Sequence, residues 1–217
     1  MPRLEIPLTD RPSGPALPLQ EWASTRSILH RWMQIVGKIR LVQTPWLNHS
    51  WHATLYVTAR GLTTSSIPYE ERTFQIDFDF IDHRLEVKSS DGGVGGFPLR
   101  QQSVAVFYRQ LMDEMVRLQI PLRIRKRPNE VKDTTPFDKD EAHATYDPDY
   151  ASRFLRVLVH AERVFQTFRG RFIGQMQPGA LLLGCSGSGR DSIFGASRTG
   201  ASRRHSWLAR RGDTRTK

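Results

Sequence analysis

The chain has 217 residues, and its 32 Lys and Arg against 22 Asp and Glu give a formal net charge of +10. This length suits a single domain with its own hydrophobic core, and no apolar run is long enough to indicate a membrane-spanning helix. The first 18 residues lack the apolar stretch typical of a signal peptide, and residues 1–175 contain no cysteine. We therefore expect a cytoplasmic protein that does not insert into membranes.

The composition changes abruptly near Gln175. Before that residue, apolar strands alternate with amphipathic helices, whereas residues 176–217 are rich in glycine, serine and arginine and show no periodicity. This last segment carries eight Lys and Arg and two Asp, which leaves a net charge of only +4 for residues 1–175. With the tail discounted, we do not expect nucleic-acid binding. We predict an extended lead-in over residues 1–18, one domain over residues 19–175, and a disordered tail over residues 176–217.

The apolar pattern predicts three helices and about five strands in the order α-β-β-β-β-α-β-α. Helical spacing predicts a first helix over residues 19–39, a second that begins after Ser103, and a third that begins at Asp147 and Pro148. Period-two alternation predicts the strands, which are residues 50–61, 73–82 and 84–89, a short strand through Phe97 and Leu99, and residues 122–127. Short turns between neighbouring strands imply an antiparallel sheet, so we expect a two-layer α+β domain.

The polar faces of the first two long strands carry the main candidate site. His52, Tyr56 and Arg60 share one face of the first strand, and Asp77 and Asp79 share one face of the second. If these strands pair, an imidazole, a phenol, a guanidinium and two carboxylates meet on one surface. Such a set can bind a small polar or anionic ligand or carry out acid–base chemistry. The further ligand-binding candidates lie in loops, and they are His49, His143 and Tyr146.

Two alternatives remain open from the residues. The polar face also fits a solvated face of an antiparallel sheet, which such sheets commonly have. The arginines of residues 122–127, which are Arg123, Arg125 and Arg127, instead suggest a non-enzymatic module that binds protein or nucleic acid. The histidine spacing supports no zinc site, so we expect no metal. The residues leave the cofactor, any catalytic residue and the oligomeric state undetermined, and they do not decide whether the protein is an enzyme.

Residues 19–175 resemble an uncharacterised bacterial family, a domain of unknown function. Four stretches carry the resemblance: residues 32–41 (WMQIVGKIRL), 51–64 (WHATLYVTARGLTT), 74–85 (FQIDFDFIDHRL) and the motif RFIG at residues 171–174. The resemblance implies no activity, cofactor or site residue.

The resemblance does imply an ending that this chain lacks. In the family, RFIG is followed by a stretch similar to SPVHFFWGSFDLAVTRFSGRRAP. Synonymous codons for residues 177–184 (QPGALLLG) can be chosen so that a reading one nucleotide later gives SPVHFFWG. Allowed codons continue this agreement through residues 185–204, as AADLAVTRFSGRRAPGRPGG. We infer that the tail is a frameshifted reading, caused by a one-nucleotide insertion near codons 176 and 177.

The DNA sequence of the gene tests this inference. We expect the codons downstream of Met176, read one nucleotide later, to spell the family-like ending. Codons that spell an unrelated sequence in that frame would show that the tail is native to this chain.

Overall fold

A computed structural model describes residues 15–46 and 52–171 of the chain, excepting the side chains of residues 170 and 171. These residues form three helices and six strands, numbered in chain order. The helices are α1 (Ala23–Gln43), α2 (Val104–Arg117) and α3 (Pro148–Arg171), with a short 3-10 helix at Phe137–Lys139 before α3. The strands are β1 (Tyr56–Val57), β2 (Gly61–Thr63), β3 (Ile67–Tyr69), β4 (Arg72–Asp79), β5 (Arg84–Ser89) and β6 (Val94–Pro98).

The six strands of this part of the chain form one antiparallel sheet with β4, the longest, at its centre. The order across the sheet is β1-β2-β4-β5-β6, and β3 pairs with β4 beside β2. The backbone N–H of Thr64, between β2 and β3, donates to the Ile76 carbonyl at 3.0 Å, and its Oγ1 accepts the Ile76 N–H at 3.0 Å. The hydroxyl takes the place of a backbone acceptor, so β2 and β3 act as one interrupted neighbour of β4.

The strand register separates an apolar face from a polar face. Directly paired residues of neighbouring strands point to the same face, and successive residues point to opposite faces. One row of the apolar face consists of Val57, Leu62, Phe78, Leu85 and Phe97. The adjacent row, on the polar face, consists of Tyr56, Thr63, Asp77 and Glu86.

Phe107 of α2 joins the helices to the apolar face of the sheet. Its ring stacks on Trp32 of α1 at 4.7 Å and on Phe78 of β4 at 6.2 Å, between ring centroids. It also meets the ring of Phe97 from β6 edge-on at 5.3 Å. Phe107, Trp32 and Phe78 are each at most 1% exposed. The hydrophobic core therefore lies between the sheet and the pair α1 and α2.

Capping side chains begin α2 and α3 at the predicted positions. Ser103 Oγ accepts the backbone N–H of Val106 at 3.3 Å. Asp147 Oδ1 accepts the backbone N–H groups of Asp149 at 2.8 Å and Tyr150 at 3.3 Å. Each cap satisfies N–H groups that have no partner within the helix.

The predicted α+β class, with an antiparallel sheet and three helices, is confirmed. The predicted first strand is shorter than expected: Tyr56–Val57 forms β1 and Leu55 forms an isolated bridge, while His52 and Ala53 lie in a 3-10 turn and Ala59 and Arg60 in a bend. Residues 50 and 51 lie outside the described residues. The chain between the predicted strands 50–61 and 73–82, together with Gly61, supplies two strands that were not predicted, β2 and β3. One predicted strand, residues 122–127, is absent from the sheet, which therefore has six strands rather than about five.

Residues 122–127, predicted to be a strand after α2, differ from the expectation. Leu122 and Ile124 are the more buried residues and Arg123 and Arg125 are exposed, as the alternation indicates. The segment nevertheless pairs with no strand of the described chain. Its apolar side chains pack against the core beside α2, and this burial needs no strand partner. Most of the predicted lead-in, and the whole of the predicted tail, lie outside the described residues.

Truncation of Phe107 tests the packing between the layers. We expect Phe107→Ala to lower the free energy of unfolding by about 3–5 kcal/mol, because it removes three ring contacts and leaves a cavity between helices and sheet. Chemical denaturation followed by circular dichroism measures this change. Val164→Ala is the control, since Val164 is 50% exposed and should cost less than about 0.5 kcal/mol. Similar losses in the two variants would contradict the assignment of Phe107 to the core.

Candidate functional site

The polar face of the sheet brings together four of the residues expected to form a site. Tyr56 pairs with Thr63, which in turn pairs with Asp77, so Tyr56 and Asp77 lie in one row across the sheet. Arg60 lies in the turn before β2, and its Nε donates to Asp79 Oδ2 at 2.5 Å. A phenol, a guanidinium and two carboxylates therefore lie on the same face of the sheet, as the sequence predicted.

The carboxylate of Asp79 stabilises the turn between β4 and β5. Its Oδ1 accepts the backbone N–H groups of Ile81 at 2.8 Å and Asp82 at 2.9 Å, and Arg60 also contacts Asp82 at 2.6 Å. Burial acts to raise the pKa of Asp79, but the hydrogen bonds from Asp82, Arg60 and Ile81 outweigh it and hold that pKa below its ordinary value. These contacts account for Asp79 as a structural anchor.

Asp77 is contacted by one side chain of its own strand, Gln75, and by one of the neighbouring strand β5, Lys88. Both of its carboxylate oxygens accept from Gln75 Nε2 at 2.8 Å, and Lys88 Nζ lies 3.5 Å from Oδ2. The same ammonium lies 2.8 Å from Glu86, and the Lys88 side chain is 50% exposed. Charges on this face are paired with each other in contact with solvent, as on a solvated sheet face.

Tyr56 lies in β1 on the polar face of the sheet, whereas His52 lies before that strand. The guanidinium of Arg40 lies 5.0 Å from the centre of the Tyr56 ring. Burial acts to raise the pKa of Tyr56, but hydrogen bonds from Thr54 and Arg40 and the charge of Arg40 lower it overall. His52 is only 2% exposed, and its carbonyl accepts the hydroxyl of Thr44 at 3.0 Å. His52 therefore belongs to the interior, and His49 lies outside the described residues.

His143 belongs to a buried ionic cluster on the helical side of the sheet. Arg31 Nε of α1 donates to Asp140 Oδ2 at 3.0 Å, and the two side chains are 4% and 1% exposed. His143 Nδ1 lies 2.9 and 3.0 Å from the two oxygens of the same carboxylate. Arg31 NH1 also donates to Ser27 Oγ at 2.8 Å. The sequence signal for this cluster is Arg31, a charged residue beside Trp32 on the apolar face of α1.

An imidazole held by a carboxylate can transfer protons, but the contacts of His143 and Asp140 indicate a structural role. The Asp140 carboxylate is already neutralised by Arg31. The carbonyls of Asp140 and His143 accept the N–H groups of Ala105 and Val104, both at 3.1 Å, at the start of α2. The cluster therefore positions the start of α2 and the loop before α3 against α1.

A second polar contact holds the same loop. Gln34 Nε2 donates to the Asn129 carbonyl at 2.8 Å, and the Asn129 N–H donates to Gln34 Oε1 at 2.8 Å. Next to this pair, His30 lies 3.2 Å from Gln34. Burial, followed by the charges of Arg31 and Arg26, lowers the pKa of His30. The neutral imidazole is thus favoured beside the amide.

Tyr146 is a core residue rather than a surface ligand. Its ring centroid lies 5.4 Å from that of Trp32, and its hydroxyl lies 2.9 Å from His83 Nδ1. It is 5% exposed, and burial raises the pKa of its phenol. The structure therefore separates Tyr146 and His143 from the polar sheet face.

A groove of about 730 Å³ lies between α2 and the chain that follows it. We call it the basic groove. It is lined by Tyr108, Met112, Val116, Pro121, Leu122, Arg123, Ile124 and Lys126. The arginine pattern identified one side of this groove from the sequence. The α2 side was missed, because Tyr108 and Met112 read as ordinary members of an apolar helix face.

The groove has an apolar floor and a cationic rim beside it: Arg123 lines the groove, and Arg125 and Arg127 follow in the same segment, outside the lining residues. Lys126 Nζ lies 2.7 Å from Asp138 and 5.7 Å from the centre of the Tyr108 ring. Arg123, Arg125 and Arg127 are exposed, and none of them forms a salt bridge with another described residue. These three guanidinium groups are free to meet an anionic partner.

Among the described residues, no three His, Cys, Asp or Glu side chains are grouped in a way that would hold a metal ion. None of the helices in residues 15–46 and 52–171 combines the length and the apolar character needed to cross a membrane.

The chain matches a protein family, as a comparison with family models shows. The model of a family described as a family of unknown function (DUF5996) matches residues 14–185, which is most of the chain. The match includes the residues on which the resemblance was based and ends at Cys185, beyond Gln175. No curated protein and no solved structure matches the chain.

The pH dependence of stability tests the role of Asp79. Its pKa is lower in the folded chain than the ordinary value of 3.8, so its stabilising contribution is complete above that pH and is lost as the pH falls through the folded-state pKa. Asp79→Asn keeps an oxygen for the two turn N–H groups but removes the charge facing Arg60. We expect the variant to be less stable than wild type at pH 7, and we expect this difference to shrink as acid is added.

Thermal melts from pH 7 to about pH 2 measure the difference between the two proteins. Asp77→Asn is the matched control, because Asp77 lies on the same face but accepts from no turn N–H group. A stability difference for Asp79→Asn that is constant with pH would contradict the proposed charge contribution.

Proposed function

The chain belongs to DUF5996, a family of unknown function, and from the geometry of the basic groove we propose that it is a non-enzymatic interaction module. It binds an acidic segment of a partner protein in the basic groove. The observation that carries this proposal is the combination of an apolar floor with three exposed arginines that have no salt-bridge partner in the described chain.

The floor favours a partner with apolar side chains. Met112 and Val116 of α2 face Leu122 and Ile124 across the groove, and Val116 is 62% exposed. Covering these side chains removes apolar surface from water, which stabilises a complex. Methionine also adapts its shape to different partners.

The rim favours a partner with negative charge. Arg123 lines the groove, and Arg125 and Arg127 lie further along the segment that forms this side of it, so exposed positive charge continues beyond the lining residues. Carboxylates of a partner can form bidentate hydrogen bonds with each guanidinium. A ligand with a single anionic group would engage only one of them.

The aromatic content of the groove argues for protein rather than nucleic acid. Grooves for single-stranded nucleic acid usually present exposed aromatic rings on which bases stack. Tyr108 is the aromatic residue among those that line the groove, and it is 9% exposed with Lys126 above its ring. Little of its face is available to a base.

The polar sheet face supports binding less well. Arg60 is engaged by Asp79 and Asp82, and Lys88 by Glu86 and Asp77. A polar ligand there would have to compete with these ion pairs. No acidic side chain of the described residues forms an ion pair with Arg123, Arg125 or Arg127, so a ligand would not have to displace one.

Charge reversal on the rim tests the proposal. The probe is a short fluorescein-labelled peptide of alternating glutamate and leucine, and fluorescence anisotropy measures its binding. We expect Arg123→Glu with Arg125→Glu to weaken binding roughly tenfold or more, since attraction becomes repulsion at two positions. Raising the salt concentration should weaken binding to wild type.

Arg100→Glu with Arg156→Glu is the matched control, because it changes the net charge equally at exposed positions that lie neither in the groove lining nor in the segment of residues 121–127. This variant should bind the peptide within about twofold of wild type. Equal weakening in both variants would indicate general charge attraction. Preferential binding of single-stranded oligothymidylate over the peptide would replace the protein partner with nucleic acid.

A further inference from the structure

We propose that the partner segment binds as an added β-strand along residues 122–125. This inference rests on the proposed function and specifies the form of its partner. The partner is an extended acidic peptide segment whose backbone pairs with the backbone of these four residues.

The backbone of residues 122–125 has no hydrogen bonds within the described chain. On one side, the Ile120 N–H donates to the Met115 carbonyl at 2.8 Å. On the other, the Lys126 carbonyl accepts the Phe137 N–H at 2.8 Å. Between these two points, no backbone donor or acceptor of residues 122–125 pairs with another described residue. Backbone N–H and C=O groups that have no partner in an extended segment can pair with an added strand.

The shape of the segment fits strand pairing. Leu122 is half-buried and Ile124 is 9% exposed, whereas Arg123 and Arg125 are exposed. Alternation of this kind is the side-chain pattern of an extended backbone. The segment also contains no turn or bend over residues 121–126. An extended backbone with free N–H and C=O groups is the template that peptides use when they bind by strand addition.

The edges of the sheet itself are less suited to this role. At one edge β1 has only two residues. At the other edge β6 contains Pro98, which has no N–H, and Gly96 with φ 149°. Arg117 NH2 donates to the Val94 carbonyl of β6 at 2.9 Å. Short strands, prolines and covered carbonyls are common ways to block an edge.

The arginines select which strand can be added. Positive charge along a free strand discourages pairing with a second copy of the same segment, because like charges would face each other. An acidic strand is favoured instead, because its carboxylates would lie beside Arg123 and Arg125 and be attracted to them. Its apolar side chains, at the intervening positions, would cover Met112 and Val116 in the groove.

Backbone methylation of the peptide tests this mode. Two versions of the glutamate–leucine peptide carry N-methyl groups on alternate residues, one version on the glutamates and the other on the leucines. In a two-stranded pairing only alternate N–H groups face the neighbouring strand. We expect one version to bind roughly tenfold or more weakly and the other to bind within about twofold of the unmethylated peptide.

Amide hydrogen exchange measured by NMR gives the matching result on the protein. We expect the unmethylated peptide to slow exchange at alternate residues within 122–125. The outcomes separate the two proposals. If the unmethylated peptide binds but both methylated versions bind equally well or equally poorly, strand addition is overturned and the groove remains the binding site. If the unmethylated peptide does not bind, the proposed function itself fails.

Discussion

The buried ion pair between Arg31 and Asp140 is the contact on which the arrangement of the helical layer depends. Removing either partner would leave an uncompensated charge in the protein interior, which is strongly unfavourable. The pair therefore fixes the loop before α3 against α1. Through the carbonyls of Asp140 and His143, it also fixes the start of α2.

The basic groove is a consequence of these fixed points. The chain leaves α2 at a hydrogen bond between Ile120 and Met115, and it rejoins the loop at one between Lys126 and Phe137. The loop is held on α1 by Arg31 and by Gln34, which pairs with Asn129. The segment between these points is therefore held beside α2 without entering the sheet. Its apolar side chains are buried, and its arginines and backbone groups remain available.

The two charged surfaces of the molecule differ in how their charges are satisfied. On the polar sheet face, neighbouring strands place opposite charges side by side, and Arg60 with Asp79 even closes a turn. On the groove rim, consecutive exposed positions all carry positive charge, so the segment cannot neutralise itself. This contrast is why the binding role is assigned to the groove rather than to the larger polar face.

Local patterns in the sequence were enough to predict much of the fold. Alternation through Phe74, Ile76 and Phe78 predicted the central strand, and Ser103 and Asp147 marked the starts of two helices. These features depend on neighbours along the chain, and therefore they can be read without the tertiary structure. The same reading placed Arg60, Asp77 and Asp79 on one face, because strand periodicity alone determines which side chains share a face.

The sequence by itself determined the α+β class, the polar sheet face and the alternation of arginines after α2. Only the tertiary structure decided that His52 and Tyr146 are buried, that His143 joins Arg31 and Asp140, and that residues 122–125 lie unpaired beside α2. The physical reason is that alternation reports which side of an extended chain is buried, but not what covers it. Leu122 and Ile124 show the same pattern whether a strand or a helix lies beside them, and that choice depends on contacts made far along the chain.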